Sequence, residues 1–236
     1  ITGGPGTGKT HTIARLLALL CAAYSGREPV IHLAAPTGKA ADRMKEAVVS
    51  AADRLPAAIS AQNKLSLLRA AAGASTLHRL LGFNPTTGRC HYGSSSPLRS
   101  DVVIVDECSM IDTLMWQALL AALPAEARLV LVGDPQQLES VAAGDVLGSL
   151  VRFAGTGTNA DLAHVWTELT ESHRFRDHPG IGQLASAVTH FRADEAATLL
   201  ADRPAPADGS TPADGLVWLG DHGARFGWAN LPRAVQ

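Results

Sequence analysis

Near the start of the chain, Gly3-Gly4-Pro5-Gly6-Thr7-Gly8-Lys9-Thr10 fills every position of the pattern G-x-x-x-x-G-K-[ST]. Each residue type has a physical task in binding phosphate. The glycines let the backbone wrap closely and aim its N–H groups at phosphate oxygens. A helix that follows presents its positive end to the same anion. Lys9 reaches the β- and γ-phosphates, and Thr10 offers a hydroxyl to Mg²⁺. The implied ligand is ATP with Mg²⁺. The competing reading is a glycine-rich turn that merely precedes a helix; a motif complete at every position disfavours it.

A second pair of reactive groups lies about 100 residues on, in Val103-Ile104-Val105-Asp106-Glu107. Two acids at the carboxyl end of an apolar strand stand where a parallel α/β sheet places its ligands. Asp106 is expected to hold Mg²⁺, mostly through water, and Glu107 to orient and deprotonate an attacking water. By themselves the two acids read as a solvated strand end, and the complete phosphate loop upstream changes the balance. A third strand end, Leu131-Val132-Gly133-Asp134-Pro135-Gln136-Gln137, ends in a polar turn. A neutral amide such as Gln137 can bond a phosphoryl oxygen or the attacking water without competing for the metal. The plainer alternative is a Gly-Asp-Pro turn with idle glutamines.

Elements must position these groups. Residues 11–24 are rich in helix formers, with Gly26 as a stop. Val30–Ala35 reads as a short buried strand ending at Pro36, and 38–54 as a helix with Lys39, Arg43 and Lys45 on its polar side. Residues 75–81 read as a short helix capped by Ser75. The polar, Gly/Pro-broken stretch 84–100 reads as a loop or hairpin insertion. Asp101–Asp106 and Arg128–Gly133 carry the runs Val-Val-Ile-Val and Leu-Val-Leu-Val, which do not alternate and so belong inside a parallel sheet covered on both faces. Leu114–Leu123 between them reads as a helix, 181–201 as helical, 203–214 as a Pro/Ala/Asp linker, and Leu216–Leu219 as one more strand. The fold class is α/β: a mostly parallel sheet flanked by helices.

Composition narrows the classes. The chain has 236 residues, of which 46% are hydrophobic and 18% charged, enough for a buried core and unlike a disordered chain. No apolar run reaches the ~18 residues of a membrane span, and no signal peptide is visible. Three cysteines at wide spacing argue against a disulfide framework and for a reducing, cytoplasmic setting. Cys90-His91-Tyr92 is too sparse for zinc. Net charge is −2, so a nucleic-acid partner has to be held by a local patch.

The motifs in order resemble superfamily 1 DNA helicases, and within them the alpha subunit of exodeoxyribonuclease V, the RecD family. The stretches that carry the resemblance are Ile1–Thr12, Leu33–Met44, Ser75–Gly82, Val102–Asp112, Val132–Leu147 and Leu169–Phe175. The resemblance implies RecA-like P-loop domains and a 5′-to-3′ ATP-driven motor on single-stranded DNA. Such a motor acts at broken duplex ends in repair and recombination, beside RecB- and RecC-type subunits. In these motors ATP lies between two RecA-like domains, and Arg174 matches the arginine that stabilises γ-phosphoryl charge from the second domain. Thr37 and Lys39, with Thr76, His78 and Arg79, match segments that line the DNA path. Helix faces bearing Lys and Arg are ordinarily just solvated, which is the competing reading for these positions. Phe83 can stack on a base, although such aromatics more often belong to cores.

The chain also departs from the family pattern. The strand before the phosphate loop is reduced to Ile1-Thr2, the partner-contacting N-terminal domain is missing, and no late helicase motif follows Arg174. Only 62 residues remain there, against ~100 or more for a RecA-like domain. Cys108 stands where a small residue such as Ala is expected and reads as a buried small hydrophobe. The expectation is therefore a RecA-like ATP-binding domain over residues 1–150 and the beginning of a second over 165–236. Two alternatives stay open: a stand-alone or relaxase-linked helicase of the same branch, and a nucleotide-binding assembly fragment that does not turn over.

Overall fold

The computed structural model describes residues 1–24, 27–54, 60–137, 144–155, 165–173, 175 and 179–201. The chain divides into two compact units, Ile1–Thr170 and Glu171–Gln236. In the first, six strands are seen among the described residues: β1 (Thr2–Gly3), β2 (Ile31–Ala35), β3 (Ser75–Thr76), β4 (Val102–Val105), β5 (Arg128–Leu131) and β6 (Glu168–Leu169). All their pairings are parallel, in the orders β3-β2-β4-β5 and β1-β6. A parallel bridge between Thr2 and Gly133 joins the two sets edge to edge. There the Gly133 N–H donates to Ile1 O at 3.2 Å and the Ile1 amino group donates to Leu131 O at 2.8 Å. The resulting order is β3-β2-β4-β5-β1-β6. β6 belongs to this unit, which runs to Thr170.

Of the two non-alternating runs, the first behaves as its pattern requires. All four residues of β4 are fully buried. Val102 and Ile104 face one side, packed with Leu33, α1 (Lys9–Ala23), α2 (Gly38–Asp53) and α3 (Ala61–Ala72). Val103 and Val105 face the other, with α4 (Leu77–Leu80), α5 (Thr113–Ala122) and Leu147 of α6 (Val146–Gly155). Burying each such Leu or Ile stabilises the fold by roughly 1.5–3 kcal/mol, which is what clamps the strands in register. β5 differs: Leu129, Val130 and Leu131 are only half-buried. They line an apolar cleft of about 480 Å³ with Leu16, Leu150 and Trp166, because two-residue β1 does not run alongside all of four-residue β5.

Side-chain caps set several helix starts. Thr37 Oγ1 accepts from Ala40 N–H (3.2 Å), Ser60 Oγ from Asn63 N–H (3.1 Å) and Asp112 Oδ1 from Met115 N–H (2.8 Å). The cap expected at Ser75 sits one residue later. Ser75 and Thr76 pair with Ala34 and Ala35 of β2, so Ser75 is held in the sheet and Thr76 Oγ1 accepts from Arg79 N–H at 3.3 Å. The sequence reading did not identify α3 or α6. Stretch 84–100 forms two tight antiparallel turns, Asn84↔Arg89 and Gly93↔Ser96. The first is an Asx turn, with Asn84 Oδ1 accepting from Thr86 and Thr87 N–H.

In the second unit the helical stretch expected over 181–201 is two helices, α7 (Pro179–Thr189) and α8 (Ala193–Ala201). α7 ends in a Schellman-type turn around Phe191, which has φ 56°. Arg192 N–H donates to Ala187 O at 2.8 Å and Phe191 N–H to Val188 O at 3.1 Å. The strand expected at Leu216–Leu219 and the 203–214 linker lie outside the described residues, as does Gly26. Among the described residues, no helix is long and apolar enough to cross a membrane.

Candidate nucleotide site

β1 delivers the phosphate loop to the carboxyl edge of the sheet. Gly3 is buried, and a Cβ there would lie 2.6 Å from both Leu169 O and Thr7 Oγ1. Close approach of β6 is therefore what demands glycine at this position. Gly8 caps α1 with φ 84°, a left-handed conformation that costs other residues roughly 1–2 kcal/mol. The first turn of α1 carries no acid, so nothing there offsets the positive end of the helix. Inside the loop, Thr7 Oγ1 donates to Gly4 O at 2.9 Å, and Lys9 Nζ donates to Gly3 O at 2.6 Å and Gly4 O at 3.0 Å.

Asp106 and Glu107 extend from β4. Asp106 is 7% exposed, its N–H donates to Ala34 O at 2.9 Å, and its Oδ1 accepts from Glu107 N–H at 2.8 Å. Burial pushes the Asp106 carboxyl above the usual carboxylate range. The Glu107 N–H bond and the Lys9 charge pull it down, and the Glu107 charge pushes it up. The ammonium of the phosphate loop and the carboxylate of β4 thus act on each other across the site. Glu107 is half-buried and left-handed, with φ 53° and ψ 40°. After it, Cys108 N–H donates to Val132 O at 3.0 Å and Met110 N–H to Glu107 O at 3.1 Å. Cys108 is the buried small hydrophobe expected: it is 1% exposed, and burial raises its thiol to about 12, which keeps it protonated and unreactive.

The turn after β5 completes this edge. Because β5 lies between β1 and β4, its end carries Gly133–Gln137 out between the phosphate loop and the paired acids. Asp134 is 4% exposed and accepts from Gln136 N–H at 3.0 Å, and its carbonyl accepts from Gln137 N–H at 3.2 Å. The Gln137 side chain is exposed. The carboxyl ends of β1, β4 and β5 therefore gather Lys9, Thr10, Asp106, Glu107 and Gln137 at one edge. Arg174 lies outside the described residues.

Farther along the same edge, the β2–β3 register sets Ala35 opposite Thr76, which brings the 37–39 and 76–79 segments side by side. Thr37 and Thr76 are the helix caps, and Lys39, His78 and Arg79 are exposed. Phe83 is half-buried, its ring edge-on to His78 at 5.1 Å between centroids.

The sequence reading missed two supports of this edge. Trp166 Nε1 donates to Thr2 Oγ1 at 3.0 Å, bracing β1 from 164 residues away, and no local signal could have shown it. The other is Asp134, a buried acid whose carboxylate holds the turn by accepting from Gln136 N–H. Among the described residues no group of three or more His, Cys, Asp or Glu side chains could hold a metal ion. A phosphate-loop magnesium uses fewer protein ligands than that, a hydroxyl and one carboxylate beside substrate oxygens.

Comparison with known proteins agrees with this geometry. The family model described as an AAA domain matches residues 1–143. The RecBCD enzyme subunit RecD of Mycolicibacterium smegmatis is 48% identical over 205 residues, 85% of this chain and 34% of the relative. The protein of the same name from Haemophilus influenzae is 39% identical over 226 residues, 86% of this chain and 35% of the relative. An ATP-dependent RecD2 DNA helicase from Deinococcus radiodurans is 39% identical over 193 residues, 82% of this chain and 22% of the relative. The chain thus spans about a third of the length of the RecD relatives it matches. The resemblance to RecD-type helicases, drawn from the motif series, is matched by relatives of that name. With residues 1–143 fitting its model across more than half of the sequence, the chain belongs to the AAA domain family.

Proposed function

We propose that this chain is the ATP-binding motor portion of a DNA helicase of the RecD type. It would be an ATP-driven 5′-to-3′ translocase on single-stranded DNA that works with RecB- and RecC-type subunits at broken duplex ends. The observation that carries the reading is the single edge where parallel β1, β5 and β4 end together, which sets the Gly3–Thr10 loop and the acids Asp106 and Glu107 on the same side of the sheet. The names of the relatives support the helicase and subunit assignments. The free thiols of Cys21, Cys90 and Cys108 support a reducing, cytoplasmic setting.

On this reading, residues Gly3–Thr10 cradle the ATP phosphates through backbone N–H groups, and Pro5 and Thr7 shape the loop. Lys9 moves from its loop carbonyls onto the β- and γ-phosphates. Glu107 orients the attacking water and accepts its proton. Gln137 bonds the γ-phosphate or that water. Thr10 and Asp106 fit a magnesium ion: both offer hard oxygens, and Asp106 has one carboxylate oxygen engaged by Glu107 N–H and the other without a hydrogen bond among the described residues. When bound, magnesium would neutralise charge on the phosphates. Arg174, by its match to the family's motif, would stabilise transition-state charge on the γ-phosphoryl group. Single-stranded DNA crosses the edge at Thr37, Lys39, Thr76, His78 and Arg79, held by phosphate contacts that carry no sequence information.

A stand-alone helicase is the second reading, favoured by the Deinococcus relative. Co-purification of the complete polypeptide with RecB- and RecC-type subunits decides between the two. The catalytic reading is tested by ATPase assays with and without single-stranded DNA, on this chain and on the complete polypeptide side by side. DNA should stimulate hydrolysis by the complete polypeptide, and Lys9→Gln should abolish it. This chain alone is expected to bind ATP and hydrolyse little. Unwinding at the parental rate by Lys9→Gln refutes the assignment of the phosphate loop. Robust DNA-stimulated hydrolysis by residues 1–236 refutes the need for a second domain.

A further inference from the structure

Glu107 occupies a backbone conformation that a residue with a side chain adopts rarely, φ 53° and ψ 40°. Such a conformation persists only when its surroundings over-determine it. Three hydrogen bonds contribute: Glu107 N–H to Asp106 Oδ1, Cys108 N–H to Val132 O, and Met110 N–H to Glu107 O. The fourth constraint is steric. A Cβ on Gly133 would lie 3.3 Å from Cys108 N, closer than backbone and Cβ normally approach, and 3.4 Å from Ser109 N, at the edge of ordinary contact. Gly133 is not among the residues with positive φ, so its own backbone does not require glycine. Space does. The turn after Glu107 packs against the side of Gly133 from which a Cβ would project, and the Ser109 hydroxyl is buried without a hydrogen-bond partner among the described residues. On its other side Gly133 touches the phosphate-loop strand, its N–H donating to Ile1 O.

We propose that Gly133 is a positioning residue for the catalytic acid: it is the spacer that sets Glu107 at its distance from the phosphate loop. The inference rests on the reading of Glu107 as the group that orients the attacking water. Gly133→Ala should push the Cys108–Ser109 backbone, and Glu107 with it, by a few tenths of an ångström. Nucleotide binding, which uses the loop of β1, should survive. Hydrolysis should not, because water and phosphorus must be aligned to better than an ångström.

The same Cβ would also lie 2.6 Å from Leu147 Cδ2, so a packing effect through α6 must be separated from displacement of Glu107. Leu147→Val removes that methyl and serves the purpose. The experiment measures single-turnover ATP hydrolysis and binding of a fluorescent ATP analogue by the complete polypeptide with single-stranded DNA. The variants are Gly133→Ala, Glu107→Gln, their combination, and Gly133→Ala with Leu147→Val. Gly133→Ala is expected to keep analogue affinity within about twofold and to slow hydrolysis by roughly tenfold or more. In the Glu107→Gln background Gly133→Ala should cause no further loss, because both changes remove the same interaction. Adding Leu147→Val should leave the defect in place. The proposal is overturned by a parental hydrolysis rate, by lost analogue binding, by an equal further loss on top of Glu107→Gln, or by rescue through Leu147→Val. Hydrolysis at the parental rate by Glu107→Gln alone overturns instead the reading of Glu107 on which the proposal stands.

Discussion

Two glycines of the phosphate loop are adjacent in sequence and opposite in structural demand, which makes Gly3→Ala and Gly4→Ala an informative pair. A Cβ on Gly3 would meet Leu169 O and Thr7 Oγ1 at 2.6 Å and Leu169 Cβ at 3.1 Å, whereas a Cβ on Gly4 meets nothing within 4 Å. Thr7 can rotate, but Leu169 O is backbone and can yield only if β6 moves away from β1. That movement strains the pairing of Thr2 with Glu168 and the 2.9 Å bond from Thr2 N–H to Thr167 O. Overpacking of this kind costs about 1–3 kcal/mol, and a weakened backbone hydrogen bond adds about 0.5–1.5 kcal/mol. The expected destabilisation by Gly3→Ala is therefore about 2–4 kcal/mol. For a unit of this size that lowers Tm by roughly 4–16 °C, at about 2–4 °C for each kcal/mol. Gly4→Ala should stay within about 0.5 kcal/mol of the parent in stability, as surface substitutions do, whatever it does to nucleotide affinity. Urea and thermal unfolding of this chain, followed by circular dichroism, measure both. Equal stabilities for the two variants would show that β6 does not press on the phosphate loop as described, and the steric argument would fail.

Two further expectations concern titratable groups away from the nucleotide edge. The Arg27 guanidinium, Val30 N–H and Arg27 charge hold Asp101 down to about 2 from 3.8, against the opposing effect of partial burial. A depressed carboxylate contributes stability that is present in full above about pH 4 and is lost as pH falls towards 2. Asp101→Asn should therefore flatten the acid limb of the stability curve in that window, and an unchanged acid limb would deny the pairing its role. Cys108 is 1% exposed with its thiol raised to about 12, while Cys90 is half-buried. Disulfide-exchange labelling of the native chain should modify Cys90 well before Cys108, which should react only under denaturing conditions. Prompt native labelling of Cys108 would contradict its packing against Val105 and Val132.

Much of the fold was legible because its signals are local. Val102–Val105 is apolar at every position, and only a strand covered on both faces uses such a run; all four residues are buried. The complete phosphate-loop pattern followed by helix formers identified the loop and α1. Less was legible where neighbouring segments compete. A serine followed by a threonine can each cap a helix, and the choice of Thr76 over Ser75 came from pairing with β2, which no window of sequence contains. Helices α3 and α6 went unread. Alanine-rich α3 lacks a strong amphipathic stripe, so its start rests on a single cap, Ser60.

Residue types and their spacing alone singled out the loop Gly3–Thr10 and the acids Asp106 and Glu107 as the candidates for phosphate, metal and water chemistry, because candidacy of that kind depends on the chemistry of the groups themselves. Tertiary structure alone decided how the groups meet. The order β4-β5-β1 carries Gly133–Gln137 out between the phosphate loop and the acids. Trp166 reaches back to Thr2. Glu107 is held left-handed by contacts with Val132 and with the turn beside Gly133. Each depends on which strands are neighbours and how closely their backbones approach. Burial and register across the whole sheet set those distances, and local propensity carries no record of them.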